Sequence, residues 1–122
     1  MSNLRIDPSD LVIAVLALNP ILNESVKAGR LSEDYLTSRI CSRYPSRTLN
    51  YADIRPNDLH GDSSRLNLAM TQLVQRGILL RDSPALRWDF PITPEEYFDS
   101  SIKTAIDQYL VKQLQEFSER LN

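Results

Sequence analysis

The chain has 122 residues, of which 42% are hydrophobic and 25% charged, with a formal net charge of −2. These fractions are typical of a globular protein and exclude a disordered tail, while the length suffices for one hydrophobic core. The single cysteine, Cys41, excludes an internal disulfide and a zinc framework, so we expect a reducing compartment, the cytoplasm.

The first predicted element is a helix that begins at Asp7-Pro8, a capping residue followed by a proline suited to the first turn. Residues 11–18 have no polar face, so this helix should be buried on all sides. The run is too short to span a bilayer, and no membrane association is expected. Pro20 should kink or restart the helix and Gly29 should end it, which makes residues 1–30 an N-terminal helical segment.

A second helix is predicted to start at Ser32, which can cap it, and to end before Pro45. Its predicted inner face consists of residues at helical spacing, namely Tyr35, Leu36, Ile40 and Tyr44, with Cys41 beside them. Residues 47–50 could then form a short strand, and residues 51–59 a weak helix interrupted by Pro56. This stretch has the weakest local pattern in the chain.

The clearest pattern is a helix from Asp62 or Ser63 to Arg76, followed by Gly77 as a left-handed terminator. Its apolar residues fall on one side: Leu66, Ala69, Met70, Leu73 and Val74. Two strands are predicted next, over residues 78–80 and 86–90, joined by a polar loop at 81–85. In the second strand, large apolar residues alternate with Arg87 and Asp89, so one face should pack and the other should be wet.

Thr93-Pro94-Glu95-Glu96 is a capping box that predicts a further helix over residues 94–121, about 42 Å long. An apolar stripe covers most of its length, and one small domain cannot easily cover it. We therefore expect a two-fold homodimer. The expected dimerisation residues are Ile102, Ile106, Tyr109, Leu110, Leu114, Phe117 and Leu121. Alternatively, the helix folds back onto residues 11–18 of its own chain.

The order helix, short strand, short helix, long helix, hairpin and helix resembles the winged helix-turn-helix superfamily, including small dimeric bacterial regulators of the MarR and PadR type. Residues 73–81, LVQRGILLR, look like the end of a recognition helix and the first wing strand. Residues 90–95, FPITPE, resemble the second wing strand leading into a terminal helix. The expected fold class is mainly α with a small β-hairpin, a winged-helix domain with long N- and C-terminal helices. It would be a single domain over 1–122, with a core at 31–93 and the C-terminal helix at 94–122.

The resemblance implies a sequence-specific DNA-binding transcriptional regulator whose helix 63–76 lies in the major groove of double-stranded DNA. The residues expected to contact DNA are Ser63, Ser64, Arg65, Asn67, Leu68, Thr71, Gln72, Gln75, Arg76, Arg81, Arg87, Arg39, Arg43 and Arg47. Within this set, Asn67 and Gln72 could read adenine and Arg65 could read guanine. The hydroxyl and remaining arginine side chains could bind phosphates, with Arg81 and Arg87 flanking the wing.

The charge distribution leaves the partner open. Residues 39–87 carry eight arginines against four aspartates, whereas residues 88–122 carry seven acidic against three basic residues. A basic middle is compatible with a phosphate-binding face, and equally with solvated surface charges. Leu68 lies near the middle of the outer helix face, and Asp62 would repel a phosphate at its start. These two residues favour the alternative, a winged helix used for protein–protein assembly without DNA.

Nothing in the sequence predicts an enzyme. The only histidine, His60, is followed by Gly61-Asp62 in a predicted turn and is the one candidate for a general base of the usual kind. Three glycines cannot supply a phosphate-cradling loop, and no histidine, cysteine and carboxylate cluster has metal-ligand spacing. We therefore expect no catalytic residue, no metal site and no cofactor.

Overall fold

The computed structural model describes residues 6–43 and 64–121. Its elements in chain order are α1 (Pro8–Leu18), α2 (Pro20–Lys27), β1 (Leu31–Ser32), α3 (Glu33–Arg43), α4 (Ser64–Gln75), β2 (Leu79–Asp82), β3 (Ala85–Trp88), α5 (Pro94–Tyr97), a π-helical turn (Phe98–Ile102), a 3₁₀ turn (Lys103–Ala105) and α6 (Gln108–Glu119). The described part is therefore mainly helical with a small sheet.

Helix α1 is the centre of the core. Residues 11–16 are each 0% exposed, as the absence of a polar face predicted. The helix packs against α2, α4, α5, the π-helical turn and α6. Asp7 caps it by accepting a hydrogen bond from the Ser9 amide at 2.8 Å, and Pro8 occupies its first turn. The predicted start of this helix is confirmed, and the predicted burial is confirmed for residues 11–16, whereas Ala17 and Leu18 are half-buried.

The chain turns sharply after α1, and the axes of α1 and α2 differ by 100°. Asn19 forms the corner: its side-chain oxygen accepts a hydrogen bond from the Leu22 amide at 3.0 Å and so caps α2. Its Nδ2 donates to the Ser118 carbonyl of α6 at 2.7 Å. Gly29, with φ of +70°, ends the segment as predicted. One buried asparagine therefore joins the two N-terminal helices to the C-terminal one.

Helix α3 begins at the predicted cap, since the Tyr35 amide donates to Ser32 Oγ at 3.2 Å. The predicted inner face is partly wrong, because Tyr35 is 42% exposed. Thr37 is buried instead, and its hydroxyl donates to the Glu33 carbonyl one turn earlier at 2.8 Å. Leu36 is buried as predicted. A local hydrogen bond thus lets a polar residue occupy the inner face.

The small sheet has three antiparallel strands in the order β1-β3-β2. Its outer strand β1 was not predicted: Leu31 pairs with Leu86 immediately before α3 begins. The hairpin loop is shorter than the predicted 81–85, since β2 continues to Asp82 and β3 starts at Ala85, leaving only Ser83-Pro84 as the turn. The strand predicted at 47–50, the helix at 51–59 and Tyr44 lie outside the described residues.

The prediction of one continuous helix over 94–121 is wrong. The helical segment begins at the predicted capping box, where the Glu96 amide donates to Thr93 Oγ1 at 3.1 Å. It then passes through the π-helical and 3₁₀ turns to extended backbone at Ile106 and Asp107. Helix α6 starts afresh after this break, capped by Asp107, and packs against α1. The long C-terminal helix is therefore two shorter helical parts.

The apolar stripe predicted as a dimer seam is largely covered within one chain. Its residues that are at most 2% exposed are Ile102, Leu110, Leu114, Phe117 and Leu121. Ile106 is half-buried, and Tyr109 is exposed at 56%. The alternative, in which this segment folds back onto residues 11–18, is what the structure has. The uncovered stripe is thus no longer an argument for a homodimer, which stays a prediction.

Replacing the corner asparagine tests its structural role. Asn19→Ala should lower the free energy of unfolding by about 1–3 kcal/mol, because it removes a helix cap and the short hydrogen bond to the buried Ser118 carbonyl, which keeps only longer backbone bonds such as that from Leu121 at 3.2 Å. Urea unfolding followed by circular dichroism measures the change. Asn19→Asp is the matched variant, since it keeps the capping oxygen but not the donor. A loss below about 1 kcal/mol for Asn19→Ala would contradict this role.

A second polar link joins α2 to α5. The buried Asn23 amide donates to the Leu16 carbonyl at 3.0 Å and also to Glu95 Oε1, while Lys27 Nζ lies 3.1 Å from Glu95 Oε2. Burial raises the pKa of Glu95, but the hydrogen bonds from Asn23 and Lys27 lower it by more, so that this pKa lies below 4.5. The folded state therefore favours the ionised carboxylate.

This lowered pKa predicts a pH dependence of stability. The contribution of Glu95 is present above its unfolded pKa and is lost as pH falls through the lower folded pKa. Glu95→Gln should therefore be less stable than the natural protein at neutral pH, by under about 1 kcal/mol because both charged groups are partly solvated. The difference should shrink towards about pH 3. Urea unfolding at both pH values measures it, with the exposed Glu119→Gln as control. A difference independent of pH would contradict this assignment.

Candidate functional site

Helix α4 has one buried side and one exposed side. The buried side consists of Leu66, Ala69, Met70 and Leu73, which are at most 1% exposed. On the opposite side Asn67, Gln72 and Gln75 are exposed, Thr71 is half-buried, and Leu68 is 56% exposed. Gly77, with φ of +74°, ends the helix as predicted. The exposed side, which we call the α4 outer face, therefore carries amides, a hydroxyl and one leucine.

One margin of the α4 outer face meets the hairpin and the start of α3. Arg81 Nε donates to Glu33 Oε1 at 2.7 Å, and its Nη1 lies 3.4 Å from Thr71 Oγ1. The Thr71 hydroxyl also donates to the Asn67 carbonyl at 3.1 Å. Arg81 was predicted to meet a phosphate at the wing, but a carboxylate already neutralises it. Its observed role is to hold α3, α4 and β2 together.

The other margin meets the start of α1 and the end of α5. Ser9 Oγ donates to Gln72 Oε1 at 3.1 Å, and Arg76 Nη2 donates to Tyr97 Oη at 2.7 Å. Asp10 lies near this margin: burial and the neighbouring charge of Asp7 raise its pKa, and Arg76 lowers it by less. The Arg76 guanidinium therefore donates to the Tyr97 hydroxyl, and its charge interacts with the Asp10 carboxylate.

Arg87 lies on the opposite face of the hairpin from Arg81. It pairs across the strands with Leu80, which is 41% exposed, whereas Arg81 pairs with the buried Leu86. A Cβ added at Gly29 would lie 3.2 Å from Arg87 Cδ, so the aliphatic stem covers this glycine. The guanidinium is exposed, with its Nη2 only 3.7 Å from the Asp89 carboxylate. The structure therefore does not bring Arg87 together with the α4 outer face.

The remaining predicted residues are spread over α3 and the undescribed parts. The Arg39 guanidinium lies 5.0 Å from the centre of the Tyr35 ring, a cation–π contact. Arg43 is exposed in the last turn of α3. Arg47 and Ser63 lie outside the described residues. Ser64 and Arg65 are the first residues of α4, and the structure describes their backbone but not their side chains.

Other types of site find little support in residues 6–43 and 64–121. No group of three or more histidine, cysteine, aspartate or glutamate residues in these ranges could hold a metal ion. A hollow of about 70 Å³ beside Arg81 and Glu33 is far smaller than the several hundred Å³ of a typical ligand site. A hollow of about 490 Å³ beside Ile92, Glu96 and Ser100 is large enough, but it is a shallow depression that lies open to solvent and does not enclose a ligand. Cys41 is half-buried on α3, and His60 falls in the undescribed segment. The α4 outer face is thus the strongest candidate surface.

The comparisons with known proteins add no further evidence. No family model, curated protein or solved structure matches this chain. In the described part of the chain, no single helix is both long and apolar enough to cross a membrane. Helices α1 and α2 are long and apolar enough only when taken together, and the chain bends by 100° between them.

The sequence did not predict the residues that bond the two margins of the α4 outer face to neighbouring elements. Glu33, Tyr97 and Ser9 carry no signal of such a role in the local sequence. Glu33 and Arg81 are 48 positions apart, so no helical or strand spacing relates them. Only the opposite charges of the two side chains hinted that they could pair, and many other pairs in the chain share that property.

Proposed function

We propose that this chain is a winged-helix protein that binds double-stranded DNA through the α4 outer face and acts as a sequence-specific regulator. Three elements support this proposal: α3, α4 and the β2–β3 hairpin coincide with the residues that the resemblance assigns to the first helix, the recognition helix and the wing. The strand at 47–50 and the short helix at 51–59 that the resemblance also expects lie outside the described residues. The pairing of β1 with β3 ties the start of α3 to the hairpin.

The observation that carries the proposal is the exposure of the amide side chains along α4 while its underside is buried. Twelve residues of helix extend about 18 Å, and a helix about 10–12 Å wide fits a major groove about 12 Å wide. Glutamine and asparagine amides can form bidentate hydrogen bonds with adenine edges. Because α1 supports α4 from below, these groups are presented on a rigid element.

The charges around α4 imply that base contacts contribute more than phosphate contacts in the described part. Arg81 is neutralised by Glu33, and Asp10 lies near Arg76. Arg43 and Arg87 are exposed to solvent, and Arg87 Nη2 lies 3.7 Å from the Asp89 carboxylate. We therefore expect binding to mixed-sequence DNA to be weak, and binding to a selected sequence to be clearly tighter.

One observation favours the second candidate, a protein–protein assembly module. Leu68 is 56% exposed at the centre of the α4 outer face, where DNA offers it only a thymine methyl group. A complementary apolar pocket on a protein would bury the whole side chain. The two candidates make opposite predictions for charges introduced at this position.

Charge substitutions at Leu68 separate the two candidates. Leu68→Lys should raise and Leu68→Glu should lower the affinity for a mixed-sequence duplex, each by about threefold to tenfold, because the new charge would lie beside phosphates. Fluorescence anisotropy at low salt measures both changes, and both should diminish as salt is raised.

Ile21 provides the matched control, since it is 59% exposed on α2. Ile21→Lys and Ile21→Glu alter the net charge in the same way without changing the α4 outer face. If the two Leu68 variants shift duplex affinity no more than the Ile21 variants do, the proposed DNA interface is refuted. Equal loss of a protein partner with both Leu68 variants would support the assembly module instead.

A substitution at Gln75 tests whether the exposed amide side chains of α4 contact base edges. Gln75→Ala should weaken binding to a duplex selected by the natural protein from a randomised library by about tenfold to a hundredfold, because a bidentate base contact is lost. Binding to a mixed-sequence duplex should change little. Gln115→Ala is the control, since it removes an exposed glutamine from α6. Equal effects of the two substitutions on the selected duplex would contradict base readout by α4.

A further inference from the structure

The break before α6 is confined to two residues. The π-helical turn Phe98–Ile102 and the 3₁₀ turn Lys103–Ala105 keep helical backbone from the end of α5 onwards. Ile106, with φ −121° and ψ 164°, and Asp107, with φ −70° and ψ 147°, are extended. Helix α6 then begins at Gln108. A single long α-helix therefore requires these two residues to become helical and the π-helical and 3₁₀ turns to adopt α-helical geometry.

Neither glycine nor proline accounts for the break, although Asp107 caps the helix that follows it. Residues 95–122 contain neither glycine nor proline, which are among the usual causes of a sharp helix kink. The apolar repeat continues across it, since Ile102, Ile106 and Leu110 are spaced by four residues. The break therefore results from tertiary packing, because α6 must turn back to reach α1.

The contacts that hold α6 in place do not depend on which chain supplies it. Leu114 and Phe117, at most 2% exposed, lie on the buried side of α6, which packs against α1. Asn19 Nδ2 donates to the Ser118 carbonyl at 2.7 Å. The same α1 surface and the same asparagine would receive α6 of a second copy equally well.

We infer that α6 exchanges between two copies of this chain. Residues 94–121 straighten into one helix about 42 Å long, and α6 of each copy packs on α1 of the other. The exchanged dimer retains the α1–α6 contacts and converts Ile106 and Asp107 to helical backbone. Ile106, half-buried, and Tyr109, 56% exposed, then lie where the two straightened helices meet. This inference is independent of the proposed DNA binding.

Two neighbouring substitutions should shift the exchange in opposite directions. Gln108→Pro fits the closed chain, because proline is favoured at the first helical position and Asp107 is already extended. In a continuous helix the same proline clashes with the carbonyl of Thr104, so the dimer dissociation constant should rise by at least about a hundredfold.

Asp107→Ala removes the cap that accepts from the Tyr109 amide at 2.8 Å, which exists only in the closed chain. Its dissociation constant should fall by about tenfold or more.

Size-exclusion chromatography with light scattering over a wide range of protein concentration measures both shifts. Gln108→Ala is the control for losing the side chain alone, and circular dichroism checks that Gln108→Pro retains its helix content and unfolding midpoint. A dimer weakened by Gln108→Pro and strengthened by Asp107→Ala supports exchange. The inference is overturned if Asp107→Ala is monomeric up to millimolar concentration, or if a dimer forms that neither substitution alters, since that dimer would use an outer surface.

Discussion

The burial of α1 on every side is the constraint on which the rest of the structure depends. Residues 11–16 are completely buried, and burying one such side chain stabilises the fold by about 1.5–3 kcal/mol. A helix without a polar face cannot remain at a surface, so α2, α4, α5, the π-helical turn and α6 all pack around it. Each neighbour gains a buried side from this packing, and each is left with a side that faces away. For α4 that remaining side is the candidate functional surface.

The polar interactions around α4 serve mainly to position it. Arg81 is bonded to Glu33, Arg76 to Tyr97, and Ser9 to Gln72, so both margins of the helix are attached to neighbouring elements. An exposed ion pair and hydrogen bonds near the surface contribute little stability individually, but together they limit how α4 can rotate. The centre of the α4 outer face consequently presents hydrogen-bonding groups and one leucine, with the nearby charges largely balanced. This balance is why the proposed function depends on contacts with base edges more than on general attraction to phosphates.

The features that could be predicted are those determined within a few residues. The caps at Asp7, Ser32 and Thr93 and the glycine terminators at Gly29 and Gly77 are confirmed, because a cap or a left-handed residue acts on backbone groups one turn away. The exposed and buried sides of α4 also follow from its spacing. The features that were missed are long-range: strand β1 exists only because β3 lies beside it, and the pairing of Arg81 with Glu33 requires contact between distant segments.

In the C-terminal segment, the features that the amino-acid sequence determines can be distinguished from those that tertiary packing decides. Its amino-acid pattern determined that residues 94–121 are helix-forming, that the helix starts at Thr93 and that one stripe must be buried. Tertiary structure decided where that stripe is buried, and therefore where the helix breaks. The physical reason is that the hydrophobic effect is non-directional and does not specify a partner. Any apolar surface of matching shape can bury the stripe. In this fold the α1 helix offers that surface, and the chain bends at Ile106 and Asp107 to reach it.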